Sequence, residues 1–267
     1  MVQSGIPNTV TDQRNRADWP TMYDLPSEEV GQSGVPDEFH IWQPQLLSLT
    51  FRPPAYPPET VFSAIGLNLY YDLQHPRWYK RPDWFGVVGG SRLYQGKELR
   101  QSYVCWQEPI NPTIVIEFLS PGTEDEDLGQ GIRDPQQPPM QWQVYEQILA
   151  VPYYVVFDSS TDQMRVFEWI EGHYQERVLG QPRVWFPRLQ LGLGLWQGYW
   201  LKQERLWLRW FDGEGSWLLT PEEVEAKARR AAEACAQQTE HRATEAENRV
   251  AQLADRLRAM GINPDEL

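Results

Sequence analysis

Two apolar runs, TIVIEFLS from Thr113 and PYYVVFD from Pro152, bracket the segment MQWQVYEQILAV, in which Trp142, Tyr145, Ile148 and Leu149 recur at helical spacing. Neither run leaves a polar face, which is the pattern of strands covered on both sides in a parallel or mixed sheet. Parallel neighbours cannot be joined by a tight turn and need a crossover, right-handed by default. The chain is therefore expected to contain a strand–helix–strand unit with Glu117 on its first strand.

The same alternation and run-length signals predict strands in VFSAIGLNLYYD, DWFGVVGG, QMRVFEWI and HYQERVL, with hairpin turns at Glu171-Gly172 and at DGEG from Asp212. LQLGLGLW reads as a strand or extended segment packed on one face. A short helix is expected from Asp37 to Ser48, bent or broken at Pro44. Together these predict an α/β (α+β) domain over 37–219, with a mixed sheet, flanking helices and β-hairpins. Residues 1–36, rich in Pro, Ser, Gly, Asp and Asn, read as an extended arm that is ordered only where it lies on something else.

At Pro221 the composition shifts to Glu, Ala, Arg and Gln. Thr220 as cap, Pro221 at the first helical position and two early glutamates predict a long C-terminal α-helix over 220–262, stopping at Gly261, with a short tail over 263–267. Val224, Ala228, Ala231, Cys235, Val250, Leu253, Leu257 and Met260 fall three or four apart. So thin a stripe predicts pairing with a second copy, as a homodimer, or with a partner helix through 222–260.

Thirteen Trp and twelve Tyr exclude a disordered chain. Two distant cysteines and four scattered histidines predict neither a disulfide framework nor a zinc site. No stretch is apolar enough to span a membrane, and no signal pattern opens the chain, so a soluble, cytoplasmic protein is expected. A net charge of -13 argues against a generic nucleic-acid coat protein but not against a nuclease, whose acidic site takes up a cation. The run Glu124 to Asp127 reads as a solvated loop.

Asp83, after Pro82 at the head of one strand, and Glu117, inside the next, are out of place unless something receives their charge. Two carboxylates on adjacent strands suit hard Mg²⁺, which takes one or two such oxygens with a carbonyl and waters.

At these residues the chain resembles the Uma-two family of restriction-endonuclease-like proteins, a branch of the PD-(D/E)XK nuclease-like superfold. The carriers are RPDWFGVV, IVIEFLSPGT and WQVYEQILAVPYYVVFD, and the likeness covers roughly 24–156, weakening through the hairpins. The resemblance implies a restriction-endonuclease-like core acting on DNA, with Asp83 and Glu117 as ligands of Mg²⁺ (or Mn²⁺) and the Phe118 backbone carbonyl as a third. The superfold's lysine two residues after the glutamate is replaced by Leu119. The family draws a lysine from the following helix instead, and that place is held here by Gln141.

Glutamine donates hydrogen bonds but brings no positive charge. Losing one electrostatic stabiliser costs about 10² to 10³ in rate. Arg133, Lys97 and Lys80 are candidate replacements. Glu38 is a candidate extra ligand, Ser120 and Thr123 read as turn residues, and Trp142 and Tyr145 as core. The resemblance thus implies a Mg²⁺-dependent DNA endonuclease with Asp83, Glu117 and Gln141 at its centre, impaired by Gln141. The alternative is an inactive nuclease-fold protein that binds or assembles through its C-terminal helix.

Overall fold

The computed structural model describes residues 19–21, 24, 37–119, 127–130, 134 and 136–261. The run Ile114–Phe118 (β6) is buried at every position, and it pairs parallel to Tyr153–Asp158 (β7) with Glu117 opposite Val156. On the other edge of β6 runs Trp84–Val88 (β4), antiparallel, with Trp84 opposite Ile116. Val61–Ile65 (β1), Gln163–Ile170 (β8) and His173–Glu176 (β9) complete a six-stranded sheet in the order β1-β4-β6-β7-β8-β9. The sheet is mixed, as the apolar runs predict, because its only parallel pair is the one joined by a crossover.

VFSAIGLNLYYD is not one strand. It turns at Gly66, whose φ of +55° suits glycine and whose amide donates to the carbonyls of Pro82 and Asp83. Beyond that turn Leu69–Tyr70 (β2) joins a second small sheet, between Tyr79–Lys80 (β3) and Tyr103–Val104 (β5). The turn ties the start of β4 to its neighbour just before Asp83.

Pro44 does not break the first helix, Phe39–Thr50 (α1), which passes through it. Contacts on one side hold it: Gln43 donates from Nε2 to the Leu208 carbonyl and accepts from the Leu208 amide, both at 2.8 Å, and Trp210 Nε1 donates to the Leu47 carbonyl. Those partners lie on Gln203–Phe211 (β12), which forms a three-stranded sheet with Arg183–Phe186 (β10) and Leu191–Trp200 (β11). The glycines of LQLGLGLW make room for close neighbours: a Cβ on Gly192 would fall 1.9 Å from the Phe211 ring, and one on Gly194 2.7 Å from Arg183 Cγ. Phe39, Leu47, Trp84, Ile116, Phe118, Trp207 and Trp210 fill the core on this face. At about 1.5–3 kcal/mol per buried large apolar side chain, such packing outweighs the missing hydrogen bond at Pro44.

The opposite face of the sheet is covered by the crossover segment. It is shorter and less regular than the helical spacing predicts: one α turn, Gln141–Gln143, continues as a π turn, Val144–Ile148 (together α2). The Leu149 amide reaches back to the Val144 carbonyl at 2.9 Å, the five-residue step of a π turn. The wider turn leaves Ile148 exposed while Val144, Tyr145 and Leu149 stay in the core with Val115, Tyr154 and Val156.

Of the N-terminal arm, Trp19 and Pro20 lie against the second sheet, their carbonyls accepting from Gln107 Nε2 and Trp106 Nε1. Residues up to Leu218 form one compact unit and Leu219 onward another. The second is the helix Pro221–Ala259 (α3), capped as predicted: Thr220 Oγ1 accepts from the Glu223 amide and the Thr220 amide donates to Glu223 Oε2 at 2.7 Å. Gly261, at φ +79°, follows its last turn.

Candidate active site

The antiparallel register of β4 and β6, extended by one residue, sets Asp83 directly opposite Glu117. Each carboxylate accepts from the other's strand. Asp83 N donates to Glu117 Oε2 at 3.0 Å, and Phe118 N donates to Asp83 Oδ2 at 2.7 Å. Pro82, which has no amide to offer the ladder, ends strand pairing here, so the Asp83 side chain takes a position that a further strand residue would have held.

Glu117 is 2% exposed. Its Oε1 accepts from Tyr145 Oη at 2.7 Å and Gln141 Nε2 at 2.8 Å. The two donors are four residues apart, which stacks them on the face of α2 that meets the sheet. Gln141 therefore occupies the site as the sequence predicts, while Tyr145 is core by burial and a site residue by contact. Trp142 packs on Tyr154, Phe167 and Tyr174.

The two acids are poorly neutralised. Burial pushes the Glu117 carboxyl well above its ordinary range, and the negative charges of Asp83 and then Asp127 push it further, against the hydrogen bonds from the Asp83 amide and Tyr145. Burial also raises Asp83, opposed by the Phe118 amide and by His40. Asp127 corrects the reading of the acidic run as a solvated loop, because it is buried, with its carbonyl accepting from Tyr154 Oη at 2.9 Å. Its charge adds to the field at Glu117. Glu124 to Glu126, like Ser120, Thr123 and Arg133, lie outside the described residues.

A basic side chain does approach, from an unexpected direction. His40, on the first turn of α1, lies with Nε2 3.1 Å from the Phe118 carbonyl and Nδ1 2.7 Å from Asp37 Oδ1. A carbonyl and a carboxylate both accept, so both contacts are hydrogen bonds at once when each ring nitrogen carries a proton, and the surroundings favour that imidazolium form. Burial alone would depress its pKa, but the Asp37 hydrogen bond and the charge of Asp83 raise it above the ordinary value. Asp37 in turn is held below the usual carboxylate range, the pull of His40 outweighing partial burial. The signal was present in PDEFH, an Asp cap with His three residues on, yet the helix start pointed to Glu38, which is exposed.

Lys97 is exposed in the turn after Tyr94, and Lys80 is nearly buried on β3. Among the described residues no group of three or more His, Cys, Asp and Glu side chains is placed to hold a metal ion. Mg²⁺ does not require three. A buried glutamate and a half-buried aspartate, both with raised pKa values, form with the Phe118 carbonyl a set of hard oxygen donors, and that chemistry fits the ion. A cleft of about 760 Å³ lined by Ser48, Phe51, Tyr56, Val61 and Arg92 includes neither acid.

The site is thus a mixed sheet with Asp83, just before β4, facing Glu117 on β6, and the crossover segment α2 behind them. The family model described as "Uma2: Putative restriction endonuclease" matches residues 17–204. The chain belongs to this family, and its function is accordingly nuclease-like. A comparison with curated proteins found no match. No helix among the described residues is long and apolar enough to cross a membrane.

Proposed function

We propose that the protein is a divalent-metal-dependent DNA endonuclease whose site is built on Asp83, Glu117 and the Phe118 carbonyl. The observation that carries the reading is the pairing of Asp83 with Glu117: a half-buried and a buried acid set opposite each other, with raised pKa values and neutral donors as their hydrogen-bond partners. When bound there, Mg²⁺ or Mn²⁺ would make water a nucleophile at neutral pH and offset the charge developing on the scissile phosphate. Asp83 and Glu117 are each fixed by an amide of the other's strand. Tyr145 and Gln141 fix the Glu117 rotamer. The imidazolium of His40 supplies a fixed positive charge from α1, on the side where Phe118 ends β6, and takes part of the role that a lysine at Gln141 would have filled.

Purified protein incubated with supercoiled plasmid and Mg²⁺ or Mn²⁺ is expected to nick or linearise it, and Glu117→Ala to abolish the activity. Undiminished cleavage by Glu117→Ala would overturn this reading. A second reading, an inactive nuclease fold that serves as a binding or assembly module, is favoured by the Gln141 amide, which occupies one Glu117 oxygen without adding charge. Metal-dependent turnover by wild type would dispose of it. In both readings residues 222–260 pair with a second copy or with a partner helix.

A further inference from the structure

None of the 39 residues of α3 is buried. Its apolar positions begin as Val224, Ala228, Ala231 and Cys235, and end as Val250, Leu253, Leu257 and Met260. Between them Thr239, Ala243 and Ala246 keep the same face. Steps of three and four keep each of these next to the last on one face, which drifts slowly around the helix, so that flanking positions are set by the nearest seam residues. Three successive four-residue steps, Ala231 to Cys235 to Thr239 to Ala243, add one residue to the heptad repeat, which locally unwinds a left-handed supercoil without breaking its seam. Val224, Val250, Leu253 and Met260 on this seam are 49–73% exposed, so the stripe is uncovered over its length.

The charges beside the seam are sorted by sign. One flank carries Glu225, Glu240 and Glu247, and the other Lys227, Arg242, Arg249 and Arg256; alanines fill the equivalent places between them. The ion pairs formed within the helix, Arg229–Glu233, His241–Glu245 and Arg258–Asp255, all lie away from the seam. Among the described residues no ion pair uses the flanking charges. Two such helices side by side can meet in two ways. Antiparallel, each flank faces its own copy, acid against acid and base against base. Parallel, the basic flank of each faces the acidic flank of the other, with Arg242 reaching Glu247 of a second copy.

We infer that α3 pairs with the α3 of a second copy of this chain as a parallel, in-register coiled coil. Charge complementarity selects the second copy and the orientation together. Cys235 then lies on the seam facing its counterpart, and both copies of 37–218 enter the pair from the same end, which would present two copies of the Asp83–Glu117 site to one duplex. That last consequence rests on the nuclease reading; the pairing does not.

Full-length protein at micromolar concentration is expected to have a dimer's mass by light scattering. Mild diamide treatment, in which the reagent accepts the two electrons and two protons released as the S–S bond forms, should give a covalent dimer on a non-reducing gel. Cys235→Ser should give none, Cys105 being buried. Arg242→Glu should raise the dimer Kd about tenfold by turning attraction into repulsion on both sides, and Arg242→Glu with Glu247→Arg should restore it. A monomeric wild type would overturn the pairing, and a dimer that diamide does not cross-link would overturn the parallel register. Neither outcome bears on cleavage, which is read separately on plasmid.

Discussion

Two glutamates of this protein are buried within ten residues of each other in sequence, and their surroundings are opposite. Glu108 meets Arg100 in a fork, Nε to Oε1 at 2.7 Å and Nη2 to Oε2 at 2.9 Å, and the guanidinium lies over the Phe62 and Tyr103 rings. Glu117, more deeply buried, is received by an amide, a glutamine and a tyrosine, with two further acids nearby. A buried carboxylate answered by arginine is a finished structural element. One answered by neutral donors and other carboxylates retains an electrostatic demand that a cation would meet.

The contrast is broken most directly by truncating each acid. Glu117→Ala should lower cleavage about 10⁴-fold or more if its carboxylate is a ligand, with a loss of folding stability set by two opposing effects, relief of repulsion and the stranding of the Asp83 amide, Tyr145 and Gln141. Glu108→Ala should spare cleavage by the molecules that remain folded, yet cost about 3–5 kcal/mol by stranding Arg100, whose side chain is 3% exposed. Plasmid assays beside urea unfolding separate the two. A large stability loss at Glu117 with cleavage intact would reverse the assignment.

Charge at Gln141 is the next largest effect. Gln141→Lys places an ammonium where Nε2 now donates to Glu117, and the rate of Mg²⁺-dependent cleavage should rise about 10²-fold. An unchanged rate would mean that His40 already meets the site's need for positive charge.

The pH dependence of stability follows from the same groups. Glu117 and Asp83 have folded pKa values above their unfolded ones, so the stability they lend is full below the ordinary carboxyl range near pH 4 and is lost as pH rises through the folded values. His40, also raised, acts in the same direction from about pH 6.5 upward. Asp37, depressed, acts oppositely, losing its contribution as pH falls through its folded value. Metal-free protein should therefore melt at a lower temperature at pH 8 than at pH 5.5, and Mg²⁺ should recover part of the difference. Glu117→Gln should narrow the difference and abolish the Mg²⁺ response; a gain of about 1 kcal/mol at pH 8 reads as about 2–4 °C. A mutant melt that shifts with Mg²⁺ as the wild type's does would place the ion elsewhere.

The sequence exposed Asp83 and Glu117 because apolar runs make a misplaced polar residue conspicuous, Gln141 was marked only by the family resemblance, and period and run length sufficed for most of the strands. It concealed what depends on contacts between distant elements. His40 sits 78 residues from the Phe118 carbonyl it meets, and nothing in PDEFH says which loop the helix start will face. Asp127 is hidden by its neighbours, since one buried member of an acidic run has no local mark. The passage of α1 through Pro44 and the π turn of α2 are set by packing on β12 and on the sheet, which override local preference.

Burial, rather than hydrogen-bond geometry, should decide what an ion pair contributes, and a third pair makes that the finest test. Arg165 and Glu176 form a fork much like that of Arg100 and Glu108, with Nε to Oε1 at 2.9 Å and Nη2 to Oε2 at 2.8 Å, but across β8 and β9 at the sheet edge, with side chains 37% and 47% exposed. Water already solvates both charges there, and salt screens what attraction remains. Arg165→Ala should cost no more than about 1 kcal/mol, and less in high salt, where Glu108→Ala keeps most of its larger effect. Were the two costs equal, the fork itself would be the stabilising element. The missing fork at Glu117 would then carry no message about a cation, since its neutral donors would suffice.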